Sequence, residues 1–243
     1  MEARRPVSGR RRRAAIFPLE GTLVDSREAR LLAWLVALHE CGHDLSLEML
    51  RPLSGMGPAA LVLTATGLPI DSPEGTRILQ RHAEIFRTWY LPRLLPFVGT
   101  RRLLQRLRRD GIRTLAVIPE DPREAADLVR ASGAGDLLDD VVRAGTHESE
   151  AYLEAVQAAV LRSGCPRDSV VLVGDTPHDV AVGERLGIDV VALKCSGWTA
   201  DALQGAVAVY ADPRDLLARY ASSPFASGAD VRYADREVHV AHQ

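Results

Sequence analysis

The sequence has almost no lysine and few cysteines, and these scarcities exclude several classes of protein. Lys194 is the only lysine, so 29 of the 30 basic residues are arginines. The three cysteines, Cys41, Cys165 and Cys195, are widely spaced, odd in number and form no Cys-x-x-Cys pair. This pattern argues against a disulfide framework and a zinc site, and predicts reduced thiols in a cytoplasmic protein. No apolar run approaches the roughly 20 residues that span a bilayer, so no membrane partner is expected.

Net charge is also low, at −2 near neutral pH, which gives the whole molecule no electrostatic preference for nucleic acid or membranes. The exception is residues 1–13, which carry six arginines. No apolar segment follows them, so they do not look like a secretory signal. Residues 1–13 are predicted to be a disordered, arginine-rich leader; the alternative is an arm that binds RNA, DNA or an acidic partner.

Apolar residues make up 47% of the chain, and their spacing changes along it. An apolar run ending at residue 19 predicts a strand, residues 27–92 show the spacing of helices, and strands alternate with helices up to residue 220. This order predicts an α/β fold, with a doubly wound, Rossmann-like parallel sheet. Residues 14–26 and 93–220 would form the core, with a helical cap (27–92) inserted after the first strand. Residues 221–243 lack a sustained period and are predicted to be a flexible tail.

Two aspartates follow an apolar run near the end of the chain, in "SVVLVGDTPHD". Ligands of open parallel sheets bind at the carboxyl ends of the strands, where Asp175 should lie, with Asp179 at the start of a helix. Two such carboxylates are suited to a hard cation such as Mg²⁺. The alternative is structural: Asp175 or Thr176 caps the helix and Pro177 occupies its first position.

Four loops follow predicted strands in this order: "PLEGTLVDS", "PEDPRE", "AGTHES" and "GDTPHD". Together with the helical insertion after the first, they resemble the haloacid dehalogenase-like (HAD) hydrolase superfamily and its phosphoglycolate phosphatase-like branch. The resemblance lies in "PLEGTLVDS" at 18–26, in "LPFVGTRRLLQRLRRDGIR", and in "VLVGDTPHDVAVGERLGIDVVAL". It extends over residues 14–220. It implies a phosphatase fold with a helical cap, an aspartyl-phosphate intermediate and a Mg²⁺ cofactor.

In the opening motif, the resemblance implies that Pro18 occupies the position of the nucleophilic aspartate, which it cannot replace. Glu20 occupies the position of the general acid and base, with a longer side chain. Gly21 and Thr22 keep the family pattern and remain candidates for substrate binding. Glu20 would also join Asp175 in binding metal.

The second and third motifs have also lost their principal groups. Pro119 stands where the family has a phosphate-binding hydroxyl, and Thr146 where it has a lysine. Arg143 lies close enough in sequence to substitute for that lysine, although a guanidinium needs a different approach. Asp175 and Asp179 of the fourth motif remain, so weak Mg²⁺ binding is expected.

These losses predict a non-catalytic HAD-like protein that acts by binding a small phosphorylated ligand or a protein partner. The alternative is an active Mg²⁺-dependent phosphatase of small phosphorylated metabolites, in which Glu20, Asp175 or a metal-bound water takes over. A protein that binds nucleic acid through the leader is a third and less favoured hypothesis. Four cap residues, Trp34, His39, His43 and Trp89, either face the site or, as we favour, pack within the cap.

Overall fold

The computed structural model describes residues 11–54, 56–118, 122–144 and 149–226. The predicted site residues Pro119 and Thr146, most of the leader, and residues 227–243 lie outside these ranges. The strands are β1 (Ala14–Pro18), β2 (Val24–Asp25), β3 (Leu95–Pro96), β4 (Arg113–Ile118), β5 (Asp140–Arg143), β6 (Val170–Gly174), β7 (Asp189–Leu193) and β8 (Ala208–Tyr210). The α-helices are α1 (Arg27–Glu40), α2 (Leu47–Leu50), α3 (Pro58–Thr66), α4 (Pro73–Ile85), α5 (Thr100–Arg109), α6 (Pro122–Ala131), α7 (Ser149–Arg162), α8 (Pro177–Leu186) and α9 (Pro213–Ala218).

Six of the strands form one parallel sheet in the order β5-β4-β1-β6-β7-β8, as predicted. Strand β1 is central, and its side chains alternate between two apolar layers. Phe17 packs in the layer that includes Leu103, whereas Ile16 packs in the layer that includes Val156. Because both faces are covered by helices, the central strands β1 and β6 are apolar throughout and show no polar alternation. No helix among the described residues is long and apolar enough to cross a membrane.

The order of the sheet places the first and fourth motifs side by side. From β1 the chain moves outward to β4 and β5, then returns to β6 on the other side of β1. The carboxyl ends of β1 and β6 therefore flank the point where the direction of winding reverses, which is where open α/β sheets bind ligands.

The cap is a helical unit inserted between β2 and β3, which pair antiparallel and carry the chain out of the core and back. Its own apolar centre is formed by Leu31, Trp34, Leu38, Leu50, Leu61, Val62 and Ile78. The rings of Trp34 and His82 stack at a centroid distance of 3.8 Å. Trp34 thus packs in the cap core and also reaches the cavity described below, while His43 pairs with Glu74 at the surface and Trp89 is exposed.

The folded core extends further in both directions than the sequence pattern indicates. In the predicted leader, the buried side chain of Arg12 pairs with Asp189 and donates to the Asp168 carbonyl at 3.1 Å. In the predicted tail, Phe225 is buried and stacks on Tyr220. Arg12 and residues 221–226 therefore belong to the core. The sequence does not predict these boundaries, because Arg12 is one of six arginines in its segment and Phe225 stands alone in a polar segment.

Candidate functional site

A cavity of about 290 Å³ lies between the cap and the carboxyl ends of the strands. The cap contributes residues from α1, α3 and α4, and the core contributes the loops that follow β1 and β6. The lining residues are Glu20, Gly21, Ser26, Arg27, Arg30, Leu31, Trp34, Ser54, Met56, Pro58, Leu61, Leu79, His82, Ala83, Glu124, Asp175, Thr176 and Ser196. A cavity thus lies between cap and core, at the place where the resemblance predicts a substrate site.

The loop after β1 keeps the family's turn but lacks its nucleophile. The buried Thr22 hydroxyl donates to the Pro18 carbonyl, and the Gly21 amide donates to the Val24 carbonyl at 3.0 Å. Gly21 has a φ of 76°, and a Cβ at this position would overlap the Asp175 carboxylate. The predicted binding residue Thr22 therefore holds the turn, while Gly21 allows the first and fourth loops to approach each other.

Glu20 is held by an arginine that belongs to the cap. Arg30, in the first turns of α1, donates from Nε and Nη2 to the two Glu20 oxygens, at 2.9 and 2.7 Å. The same guanidinium also pairs with Glu124 of α6 and lies 3.5 Å from the centre of the Phe86 ring. Burial alone would lower the pKa of Arg30, but Glu20 and Glu124 outweigh it and raise that pKa above its ordinary value. Glu20, the predicted acid–base residue, thus forms an ion pair that joins the core to the cap.

Asp175 lies buried at the end of β6 and accepts a hydrogen bond from the Ser196 hydroxyl. Burial, with Asp179 as the second contribution, raises the pKa of Asp175 to about 8, although Ser196 and Arg27 oppose the shift. The surroundings of Asp175 therefore favour its protonated form.

Asp179 serves the start of α8. Its Oδ2 accepts hydrogen bonds from the Asp175 amide (3.0 Å), the Thr176 amide (2.9 Å) and the Thr176 hydroxyl (2.7 Å). Its Oδ1 accepts from the Tyr152 hydroxyl at 2.5 Å. Thr176 accepts in return from the Asp179 amide, which completes a capping box with Pro177 in the first turn. Thr176 and Asp179 therefore cap the start of α8, which is the structural alternative given for this motif.

These partners decide whether the predicted ligand set fits Mg²⁺. Glu20 is paired with Arg30 through both of its oxygens, and both Asp179 oxygens already accept hydrogen bonds. Among the described side chains, no group of three or more His, Cys, Asp or Glu is placed to hold a metal ion. The family's cofactor therefore does not fit Glu20, Asp175 and Asp179 as they are arranged.

Arg143, the candidate substitute for the missing lysine, does not line the cavity. Arg143 ends the edge strand β5, is exposed, and is not among the cavity-lining residues. The charged residues that do line the cavity from the cap are Arg27 and Arg30, three positions apart on α1. Sequence analysis missed both, although their spacing with Leu31 and Trp34 places them on one helical face.

The chain is similar in sequence to known proteins over most of its length. The profile described as haloacid dehalogenase-like hydrolase matches residues 15–193. A phosphoglycolate phosphatase of Rhodospirillum rubrum is 33% identical over 215 residues, 82% of this chain and 87% of its own. A probable phosphatase, IndB, of Dickeya dadantii is 28% identical over 200 residues, 79% of this chain and 85% of its own.

Solved structures give the same architecture. A hydrolase from Pseudomonas syringae superposes with a TM-score of 0.75 at 23% identity, covering 89% of this chain and all of its own. At that identity the similarity supports the fold alone, a capped parallel sheet.

Proposed function

Because this chain belongs to the haloacid dehalogenase-like hydrolase family, we propose that it is a member without aspartyl-phosphate chemistry, which uses the cap–core cavity to bind a small ligand. The observation that carries this proposal is the bidentate pair between Arg30 and Glu20. This pair occupies the carboxylate at the acid–base position of the opening motif. Regulation or ligand binding, rather than turnover, is then the role of the site.

The chemistry of phosphate transfer supports this reading. A carboxylate nucleophile forms the covalent intermediate, and Pro18 has neither a carboxylate nor a hydroxyl. A general acid or base must exchange a proton with the substrate, whereas a carboxylate held by a guanidinium at 2.7 and 2.9 Å is stabilised as the anion. Residues that act as one catalytic unit are strongly non-additive, so the loss of the nucleophile alone removes most of the rate.

The retained cavity supports ligand binding. At about 290 Å³ it is near the lower end of the sizes of small-molecule sites, and apolar side chains cover much of its wall. Within the cap, Arg27, Ser54 and Trp34 reach it, so the cap contributes both polar and apolar contacts. A pseudoenzyme that had lost all use of the site would have no need of an open space between two packed units.

A phosphatase assay separates this proposal from the alternative of an active phosphatase. Purified full-length chain would be incubated with Mg²⁺ and a panel that includes 2-phosphoglycolate, phenyl phosphate and pyrophosphate. We expect no turnover above that of a matched Asp175→Asn preparation. Turnover that is present in the wild type and absent from Asp175→Asn would refute the proposal and support a non-standard active site.

A restoration experiment tests the role given to Arg30. The substitutions Pro18→Asp, Glu20→Asp, Pro119→Thr and Thr146→Lys put the family's groups back. If Arg30 neutralises the opening motif, adding Arg30→Leu to these four should raise phosphatase activity further. Equal activity with and without Arg30→Leu would contradict that role.

A further inference from the structure

The amino ends of the parallel strands, at the edge of the sheet opposite the cavity, carry a row of exposed arginines. Backbone hydrogen bonds join the segments that enter β4, β1 and β6: the Arg113 amide donates to the Arg13 carbonyl, and the Arg13 amide to the Ser169 carbonyl, both at 2.9 Å. Nη2 of Arg11 lies 4.0 Å from the position that a Cβ on Gly111 would take, so Arg11 covers the turn before β4. We call this strip the arginine edge; its exposed members are Arg11, Arg13, Arg108, Arg109, Arg113, Arg162 and Arg167.

Two of these arginines have a structural task as well. Arg113 Nη1 donates to the Ser163 carbonyl at 2.7 Å, just after α7 ends, and Arg167 Nη1 donates to the Leu186 carbonyl at 2.8 Å, at the end of α8. Such contacts stabilise the carboxyl ends of helices. Because a guanidinium has five N–H donors, each arginine keeps further donors on an exposed side chain. These contacts also extend the row across β4, β1 and β6 to the start of β7.

Helix ends do not account for Arg11 and Arg13, which precede β1. Both side chains are exposed, and neither forms an ion pair with a residue that the structure describes. The same holds for Arg109, the last residue of α5. Arg12, between the first two, is buried instead and pairs with Asp189. Three guanidinium groups of the arginine edge are therefore available to an external partner.

Positive charge on the arginine edge exceeds the negative charge that accompanies it. Segments 11–13, 106–113 and 162–169 contain nine arginines. Five aspartates lie in these segments or at the adjoining starts of β5 and β7, namely Asp110, Asp139, Asp140, Asp168 and Asp189. Asp136, in the turn before β5, is balanced by Arg101. An excess of four positive charges remains, and the ends of α5, α7 and α8 offset it by only about half a charge each. The net charge of −2 for the whole chain conceals this local excess.

We propose that the arginine edge binds double-stranded nucleic acid through the phosphates of one strand. Adjacent strands of a sheet lie about 4.8 Å apart, so the row from β4 to β7 is roughly 14 Å long. That length matches about four base-pair steps of a duplex at about 3.4 Å each. Guanidinium groups bind phosphate oxygens in pairs, and a line of them suits a linear polyanion.

The composition of the surface decides between possible anionic partners. Binding of single strands depends on exposed aromatic side chains that stack on the bases, but the one exposed aromatic among the described large apolar residues, Trp89, lies in the cap. A lipid surface is a plane and would need contacts over an area, whereas these arginines form a line. Phosphate contacts carry no sequence information, so binding should be independent of sequence.

Residues 1–10 join the chain at this edge and extend its charge in the sequence. They contain three arginines, Arg4, Arg5 and Arg10, and one glutamate, Glu2. The arginine-rich leader and the arginine edge are thus continuous along the chain. The interaction is independent of the cavity, which lies at the other ends of the strands, so the result of the phosphatase assay does not bear on it.

Fluorescence anisotropy of the full chain with a labelled DNA duplex of about 20 base pairs tests the proposal. We expect a Kd of about 1–100 μM at 150 mM NaCl. The logarithm of the affinity should fall with the logarithm of salt concentration with a slope of about −3 to −4, because each of about four phosphate contacts contributes about 0.9. A second duplex of different sequence should bind within about twofold.

The edge variant replaces Arg11, Arg13 and Arg109 with glutamine in one chain. We expect it to bind at least about tenfold more weakly at 150 mM NaCl, and the salt slope to fall in magnitude by about 2–3. The matched control removes three exposed arginines of the cap through Arg51→Gln, Arg77→Gln and Arg87→Gln, which change the net charge equally. It should keep its affinity within about twofold. Circular dichroism checks folding, and the single change Arg13→Gln, with an expected loss of about two- to fourfold, replaces an edge variant that does not fold.

Several results would overturn the proposal. They are no duplex binding up to about 1 mM protein at 50 mM NaCl, an equal loss of affinity in the edge and cap variants, and tighter binding of the single strand than of the duplex. Tighter binding to phosphatidylserine vesicles or to poly-glutamate would assign the surface to another class of partner. A leader variant with Arg4→Gln, Arg5→Gln and Arg10→Gln completes the set: if it loses the affinity that the edge variant keeps, the folded edge is not the site.

Discussion

Replacing Arg30 with methionine removes the positive charge that lies between Glu20 and Glu124 while keeping much of the apolar side chain. The two carboxylates would then face each other across the boundary of cap and core with no counter-ion from α1. The side chains of Arg30, Glu20 and Glu124 are 20%, 25% and 7% exposed, so water reaches them only in part. Breaking a buried ion pair from one side costs about 3–5 kcal/mol, and this partial exposure favours the lower end, about 3 kcal/mol.

The cost is measurable by urea denaturation followed by circular dichroism. A loss of about 3 kcal/mol corresponds to a decrease in Tm of roughly 6–12 °C for a chain of this size. Arg51→Met is the matched control, because Arg51 pairs with Glu28 and both side chains are about half exposed. That change should cost less than about 1 kcal/mol.

A second variant tests the cause. In Arg30→Met, the further changes Glu20→Gln and Glu124→Gln remove the two negative charges that faced Arg30, so they should recover part of the lost free energy of unfolding. If Arg30→Met costs no more than Arg51→Met, or if the two glutamines recover nothing, the ion pair does not stabilise the contact between cap and core.

Three further predictions follow from buried groups. In the folded protein the pKa of Asp175 is raised to about 8, whereas an unfolded aspartate has a pKa of about 4. Between these two values the folded state keeps a proton that the unfolded state releases, so the free energy of unfolding should fall from pH 5 to pH 8. The variant Asp175→Asn cannot take up this proton, so its free energy of unfolding should rise by at least about 1 kcal/mol relative to that of the wild type between pH 5 and pH 8. If the difference in free energy of unfolding between the two proteins does not change with pH, the pKa shift is contradicted. Tyr152→Phe should cost about 1–3 kcal/mol in urea denaturation, because Asp179 Oδ1 loses the donor at 2.5 Å, and a cost below about 0.5 kcal/mol would show that water replaces it. Phe225→Ala should cost about 3 kcal/mol because the ring is buried against Tyr220, whereas Leu161→Ala, at an exposed site, should be nearly neutral in the same assay.

The fold was accessible from the sequence because its signals are local. Helix α8 begins at Pro177, the position that the sequence predicts, since Thr176 and Pro177 mark its start and Gly187 its end. The apolar run before Asp175 is observed as strand β6, which is buried along its whole length.

The role of Asp179 was ambiguous for a chemical reason. A threonine followed three residues later by an aspartate is the pattern of a capping box, and the same aspartate occupies the family's acidic motif. Only the spatial position of Tyr152, 27 residues earlier, shows that both oxygens of Asp179 accept hydrogen bonds.

The charge arrangement in the cavity was not accessible from the sequence. Arg30 meets Glu124, 94 residues away, only because the cap folds back onto the core. The sequence places Arg27 and Arg30 on one face of α1, but that face alone does not show which of the two meets a carboxylate of the core. Arg143 was the better candidate by proximity along the chain, but the parallel sheet places it at an edge strand.

The paired strands β2 and β3 are only two residues long, and Arg30 lies five residues beyond the end of β2. A rotation of the cap about this crossing would pull the guanidinium away from both Glu20 and Glu124. Opening the cavity by such a rotation would therefore require the ion pair between Arg30 and the two glutamates to separate. The same event would release the carboxylate at the acid–base position, so access to the cavity and the state of Glu20 are coupled.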